Sequence, residues 1–436
     1  MKKNGFIMST YVYILLVFFL LLLGTMLVVL NNTRLLANKI KENTDGNIDF
    51  NLVLKGDKEI FIVKDSEYIE PGCIATTFDG EKLEVRVMGE VNAKKSGEYD
   101  IEYSAEYKGV EKKVKRKVIV GENLVTYITN LYEDSITRAS NNLKKDNTED
   151  KNIRYYGANP NNYVRFNNEL WRIIGIFGNN VKLIRNDRLG WLSWDTSEST
   201  VNSGYGINQW GESKDTSGNI YEGADLQVYL NKMYYGGIEV TCYNDLNNTK
   251  TTCPKDSNGN FLELDDVAKN LIDNHTWNIG AMRYISRTNT LTFYQAERGC
   301  VHGKSSCSSG NQCNDTIIRT TEWTGYVGLP YVTDWAYASS ESVCETNMAT
   351  QDSSNNYICK NNNWMQKSIL AWYLLPVTTS SGACYAWYVN KTGDPAGNYT
   401  YGLGGVIPAV YLKSDVFVTG GLGTSDNPYK LWLSEN

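Results

Sequence analysis

A chain of 436 residues with a formal net charge of −6 has room for two or three domains, each with its own core. Its 21% charged residues exclude a highly charged disordered chain, and the balance gives no electrostatic basis for a nucleic-acid partner. The 30 Tyr and 11 Trp against 11 Phe, with many Asn, Gly, Thr and Ser, imply short strands and frequent turns. Such aromatics serve either as cross-strand core pairs, the simpler reading, or as flat surfaces for sugars and peptides.

The first predicted element is a membrane helix. Phe6 to Leu30 carries no charged residue, and twenty helical residues rise about 30 Å, the hydrocarbon thickness of a bilayer. The apolar run outlasts that of a cleavable signal, about 7 to 15 residues, so residues 6–30 are expected to stay as a single-pass anchor. Lys2 and Lys3 before it balance Arg34, Lys39 and Lys41 after it, so flanking charge does not set the orientation. Lys2-Lys3-Asn4-Gly5-Phe6 followed by this helix resembles a type IV prepilin leader. The resemblance implies cleavage between Gly5 and Phe6 and self-assembly into a fibre. It departs from that family at Thr10, where prepilins carry Glu.

Residues 49–121 alternate strongly, as in Ile60-Phe61-Ile62-Val63, Leu83-x-Val85-x-Val87 and Tyr99-x-Ile101-x-Tyr103. Turn pairs Asp79-Gly80, Ser96-Gly97 and Lys108-Gly109 punctuate them, which predicts a β-sandwich. The basic run Lys112-Lys113-Val114-Lys115-Arg116-Lys117 reads as one strand with a solvated basic face. Tyr68-Ile69-Glu70-Pro71-Gly72, then Gly89-Glu90-Val91-Asn92, then Gly97-Glu98-Tyr99 with Tyr103, resembles the bacterial immunoglobulin-like modules of Gram-positive surface proteins. That resemblance implies a spacer or adhesion module without catalytic residues. Cys73, with no second cysteine nearby, is expected to be a buried free thiol. Residues 1–48 are thus the anchor and a juxtamembrane helix, and 122–153, with a short helix and the polar run 141–150, are expected to be a linker.

From residue 154 to 436 the expectation is an extracellular α+β domain, loop-rich and disulfide-braced. Two apolar strands flank Gly178-Asn179-Asn180 as a hairpin, and Asp225–Asn231 and Phe261–Ile272 read as short helices, the latter burying Leu262, Val267, Leu271 and Ile272. Trp171-Arg172-Ile173-Ile174-Gly175, the Trp323–Asp334 segment and Pro408-Ala409-Val410-Tyr411-Leu412-Lys413 resemble an uncharacterised family of bacterial extracellular domains. The resemblance places the segment and implies no chemistry.

Eight cysteines fall here, with no Cys-x-x-Cys and two His in the whole chain, which favours disulfides over zinc and an oxidising, exported location. Cys242 with Cys253 and Cys344 with Cys359 would each close a flexible loop, worth about 3 kcal/mol apiece on the entropic model. Cys300, Cys307, Cys313 and Cys384 would pair in one of three ways. These cysteines put the bulk of the chain outside the cell.

No nucleophile elbow, zinc-protease motif or phosphate loop occurs, so the chain is expected not to be an enzyme and to need no cofactor or metal. Cys300 with His302 reads as a disulfide cysteine beside a histidine, and Asp265-Asp266 as a solvated helix turn. Asp256-Ser257-Asn258-Gly259-Asn260 departs from a calcium loop at Phe261 and reads as an Asn-Gly turn. The densest aromatic-plus-acid clusters, Trp323, Asp334, Trp335 and Tyr337, then Trp191 and Trp194, are the candidate ligand surface for a glycan or protein. Three functions remain: a membrane-anchored surface binder with an immunoglobulin-like stalk, a pilin-like fibre subunit, or an extracellular enzyme of unidentified activity.

Overall fold

The structure is a computed structural model. It describes residues 49–196, 206, 208–215, 217–244, 250–280, 282–283, 289–299, 317–379 and 382–433, with isolated helical positions between 19 and 33. Gly5, Phe6, most of the stretch 6–30, Cys300, His302, Cys307 and Cys313 lie outside the described residues, as does the side chain of Cys384. Among the described residues no helix is long and apolar enough to cross a membrane. The chain divides into two compact units, the first holding residues 67–92 and 99–118 with the chain up to Ile60, the second holding 61–66, 93–98 and everything from Ile119 onward.

The first unit is the expected sandwich. One sheet orders β1 (Phe50–Leu54), β3 (Cys73–Thr77) and β4 (Lys82–Leu83); the other joins β2 (Glu59–Val63), β7 (Val110–Asn123), β6 (Gly97–Tyr107) and β5 (Arg86–Met88). Period-two alternation turns Phe50, Ala75 and Ala105 inward, with Leu52, Leu83, Val85 and Tyr107 packed on them. Lys108 and Gly109 take the left-handed conformation (φ 49° and 84°) that a tight β6–β7 hairpin demands. Cys73 is a free thiol, half-buried, donating to the Val53 carbonyl at 3.1 Å.

Arg116 corrects the expectation of a wholly solvated basic face. Lys113 and Lys115 point out toward Glu102, and the alternation therefore sends Arg116 in, where its side chain is 0% exposed. Its Nε donates to the Asp57 carbonyl at 2.9 Å, Nη1 donates to the Tyr103 hydroxyl at 3.2 Å, and the guanidinium pairs with Glu70. Tyr68 and Tyr103 also donate to Glu70. The Tyr68-x-Glu70-Pro71-Gly72 segment therefore supplies the carboxylate that pairs with the buried arginine.

The second unit is larger and mixes many short strands with short helices. Residues 122–153, expected to be a linker, are folded into it. Helix α1 (Leu124–Glu133) is capped by the Asn123 side chain accepting from Thr126 N at 3.2 Å, and α2 (Ser135–Ser140) by Asp134. Leu124, Ile128 and Leu143 enter the main core, and the polar run 141–150 includes Asp146 and Thr148, both buried and hydrogen-bonded to each other. Polar composition here marks an internal network, not solvation.

The principal sheet of this unit runs through β10 (Tyr163–Phe166), β11 (Glu169–Phe177), β12 (Asn180–Arg185) and a late strand, Ala409–Tyr411; β9 (Ile153–Tyr155) pairs with β8 (Leu143–Lys145) and β11. The β11–β12 hairpin turns at Gly178, as its sequence implies. Gly175 ends the Trp-Arg-Ile-Ile-Gly segment because β9 crosses there, and a side chain would collide with the Ile153 carbonyl. A second sheet is built from Trp191–Ser193, Leu403–Gly405, Ala371–Thr379, Gly382–Val389 and Pro395–Tyr399. Asp225–Val228 starts a helix that widens into a π-turn over Tyr229–Tyr235. Of Phe261–Ile272 only Asp266–Leu271 is helical; Leu271 and Ile272 are buried, but Val267 is exposed.

Eight of the eleven tryptophans are buried, which decides for the core reading of the aromatics. The bonds Cys242–Cys253 and Cys344–Cys359 form as their spacing suggested.

Candidate functional site

The segments expected to present a ligand surface are instead largely interior. Trp194, Trp335 and Tyr337 are each 0% exposed and Asp334 1%. Trp194 donates to the Gln209 carbonyl at 3.2 Å and Trp335 to Gln366 Oε1 at 2.9 Å, so their polar tips are used internally. Trp323 is half-buried, edge-on to Trp210, and Trp191 alone of the six is exposed, with Arg188 over its ring.

Asp334 organises a buried charge network. It sits on a short helix, Val332–Tyr337, where its Oδ2 accepts from Tyr331 N at 2.9 Å. Arg154 on β9 donates to Oδ1 at 2.7 Å and Lys182 on β12 to Oδ2 at 2.6 Å. Arg154 turns its Nε to Asp146 at 2.6 Å, giving two cations and two anions in one desolvated row. Burial resists ionisation of Asp334, but Lys182 and Arg154 outweigh it and hold the carboxyl below its usual value. Burial likewise pulls Lys182 down against the attraction of Asp334. The Lys182 ammonium lies 3.9 Å from the Tyr331 ring centre, with Trp277 and Tyr411 also within cation–π range.

Over this network opens a cleft of about 340 Å³, lined among others by His275, Asn278, Tyr294, Glu297, Arg298 and Tyr331. His275 heads the strand His275–Asn278, stacks on Tyr411 at 3.7 Å between ring centres, and places Nδ1 3.0 Å from Asp273 Oδ2. Burial lowers its pKa against the pull of Asp273, so at neutral pH the ring is uncharged. A carboxylate partner puts the proton on Nδ1 and leaves Nε2 as an acceptor. Glu297 ends the helix Thr290–Glu297 and is 1% exposed. Burial pushes its carboxyl up to about 7, although Arg298 and the Thr333 hydroxyl, donating to Oε1 at 2.6 Å, oppose the shift. Arg298 caps the rim, paired with Asp150 at 2.6 Å and lying 3.6 Å over the Tyr294 ring. The Tyr331 hydroxyl accepts from Asn278 N at 2.8 Å.

The cleft thus combines an imidazole acceptor, a carboxyl that titrates near neutrality, a guanidinium, two amide side chains (Asn152 and Asn278) and tyrosine faces. It can hydrogen-bond a polyhydroxylated ligand in both senses while stacking on its apolar face. None of His275, Glu297 or Arg298 stood out in the sequence; Asp334, which did, supports the cleft from beneath. Among the described residues no three of His, Cys, Asp and Glu converge closely enough to hold a metal by themselves.

Residues 52–120 match the family model described as the Ig-like domain of bacterial surface proteins. No curated protein matches the chain. Among solved structures, one similar chain is a lipoprotein from Bacteroides thetaiotaomicron, 31% identical over 17% of this chain and 39% of that one, with a TM-score of 0.16. Another comprises the CBM51-2 and INT domains of ZmpB from Clostridium perfringens, 11% identical over 39% of this chain and 38% of that one, with a TM-score of 0.14. This chain therefore spans well under half the length of either.

Proposed function

We propose that the chain is a surface protein whose second unit binds a glycan terminus in the His275–Glu297 cleft, held away from the membrane by the immunoglobulin-like module. The observation that carries this reading is the cleft itself: donors, acceptors and tyrosine faces converge on a space suited to one sugar-sized group. The surface location rests on the family match over residues 52–120 and on the two disulfides, which suit an exported domain. Anchoring through residues 6–30 is part of the proposal, supported by the apolar sequence and by the helical, exposed Phe19, Leu23, Met26, Val29 and Leu30. A mature N-terminus at Phe6, read by mass spectrometry, would replace the plain anchor with the pilin-like fibre subunit.

One observation favours a second reading. A carboxyl titrating near 7 and a neutral, carboxylate-oriented histidine in one cleft are the equipment of general acid–base catalysis. A glycan array probed with the detergent-solubilised full chain tests both. Retention of a saccharide that weakens in His275→Ala and Tyr294→Ala supports binding. Release of a shortened product supports the enzyme, and no retention of any saccharide by the folded protein removes the proposal.

A further inference from the structure

A second cavity of about 410 Å³ opens elsewhere in the second unit, and its described lining residues include three acids and one amide but no lysine or arginine. Asp195, Glu222 and Asp225 contribute carboxylates, and Gln209, Thr241 and Tyr243 contribute further oxygens. Asp225 accepts from Thr196 N at 2.8 Å and Thr196 Oγ1 at 2.9 Å, both on Oδ2, which leaves Oδ1 uncommitted. Its backbone N donates to Asp195 Oδ1 at 3.4 Å, and among the described residues no cationic side chain pairs with the Asp225 carboxylate.

Gln209 supplies an independent observation. Its side chain is 3% exposed, and its Nε2 donates to the Glu222 carbonyl at 3.0 Å, which fixes the amide's orientation. Its Oε1 is buried with no hydrogen-bond partner. A buried carbonyl oxygen left without a partner is costly unless a hydrogen-bond donor or a cation meets its lone pairs.

We propose that this cavity is a binding site for a hard divalent cation, calcium in the first instance, ligated by Asp225 and the Gln209 carbonyl oxygen. Oxygen-only donors of mixed charge suit calcium, which tolerates irregular shells of six to eight ligands. They do not suit zinc, which wants nitrogen or sulfur in a closed tetrahedron. Because no three of His, Cys, Asp and Glu converge among the described residues, water completes the shell and Asp195 and Glu222 act chiefly through their charge. Few protein ligands and a partly open cavity place the dissociation constant at about 10⁻⁴ to 10⁻³ M, the range of extracellular calcium modules. The cation would tie the segment after Trp191–Ser193 to the start of the Asp225 helix and to the loop braced by Cys242–Cys253.

The test uses the EDTA-treated full chain in mild detergent. Calcium chloride titrated by calorimetry should show one site in that range, and terbium should give luminescence sensitised by Tyr243, a lining residue. Asp225→Asn and Gln209→Met should each weaken both signals by roughly tenfold or more. Each variant's tryptophan spectrum is compared with wild type, so a folding defect is distinguishable from a lost ligand. Absence of binding at 10 mM calcium, at about ten times the weakest expected constant, overturns the proposal. So does binding that both folded variants retain, since Gln209 would then be satisfied by water alone.

Discussion

Replacing Glu297 by Gln tests whether the cleft carboxyl is held protonated by its surroundings. The side chain is 1% exposed, and burial raises its pKa from an ordinary 4.5 to about 7. Between those values the folded protein keeps a proton that the unfolded chain has released. The folded state binds more protons, so stability falls as pH rises through this window. At about 1.4 kcal/mol per pH unit the interval is worth roughly 3 kcal/mol, fully present below pH 4.5 and lost as pH rises through about 7. Arg298 and Lys182 face the group and moderate the shift, while Asp334 adds to it. Glutamine keeps an acceptor for the Thr333 hydroxyl but cannot titrate. Urea denaturation followed by tryptophan fluorescence reads the second unit alone, because every tryptophan lies at or beyond Trp171. The wild-type advantage over Glu297→Gln should shrink by roughly 3 kcal/mol from pH 4.5 to pH 8. His275, whose lowered pKa gives stability that increases with pH, is common to both proteins and cancels in the difference. Parallel pH profiles for the two proteins would refute the reasoning.

Three further variants probe the framework. Lys182→Met leaves Asp334 with Arg154 as its sole cationic partner among the described residues, in a desolvated site, and should cost about 3 kcal/mol in the same urea assay; a loss below about 1 kcal/mol would mean the network is wet. Cys344→Ala with Cys359→Ala opens a loop of sequence separation 15 and should lower stability by about 3 kcal/mol, with no change if the chain around it is already ordered in the unfolded state. Arg116→Met strands Glu70 among Tyr68 and Tyr103 and should destabilise the first unit by about 3 kcal/mol. Hydrogen exchange of the β6 and β7 amides reads this, and unchanged protection there would show that the buried arginine is dispensable.

Local rules made much of the framework readable, and they stop where partners come from far along the chain. Alternation located the sandwich strands, Gly178 the β11–β12 hairpin, and short spacing the two disulfides, because each depends on neighbours within a dozen or so residues. The same period of two would have turned Arg116 inward had it been applied to the charged residues as well as to Val114 and Val118. Asp334 is different. Its partners Arg154 and Lys182 lie 180 and 152 residues away, so no local pattern says whether an acid among aromatics is a solvent-facing recognition group or the centre of a buried ion network. Tryptophan density misleads for the same reason: an aromatic with a polar tip suits a sugar-binding surface and a core with an internal acceptor equally well. Glu297 has the opposite fate. Between Ala296 and Arg298 it looks like an ordinary helix-end acid, and only burial against Thr333 gives it a carboxyl that titrates near neutrality. The chemistry of the cleft therefore belongs to the assembly of distant segments: the residues with the most conspicuous sequence context stabilise it, and inconspicuous ones line it.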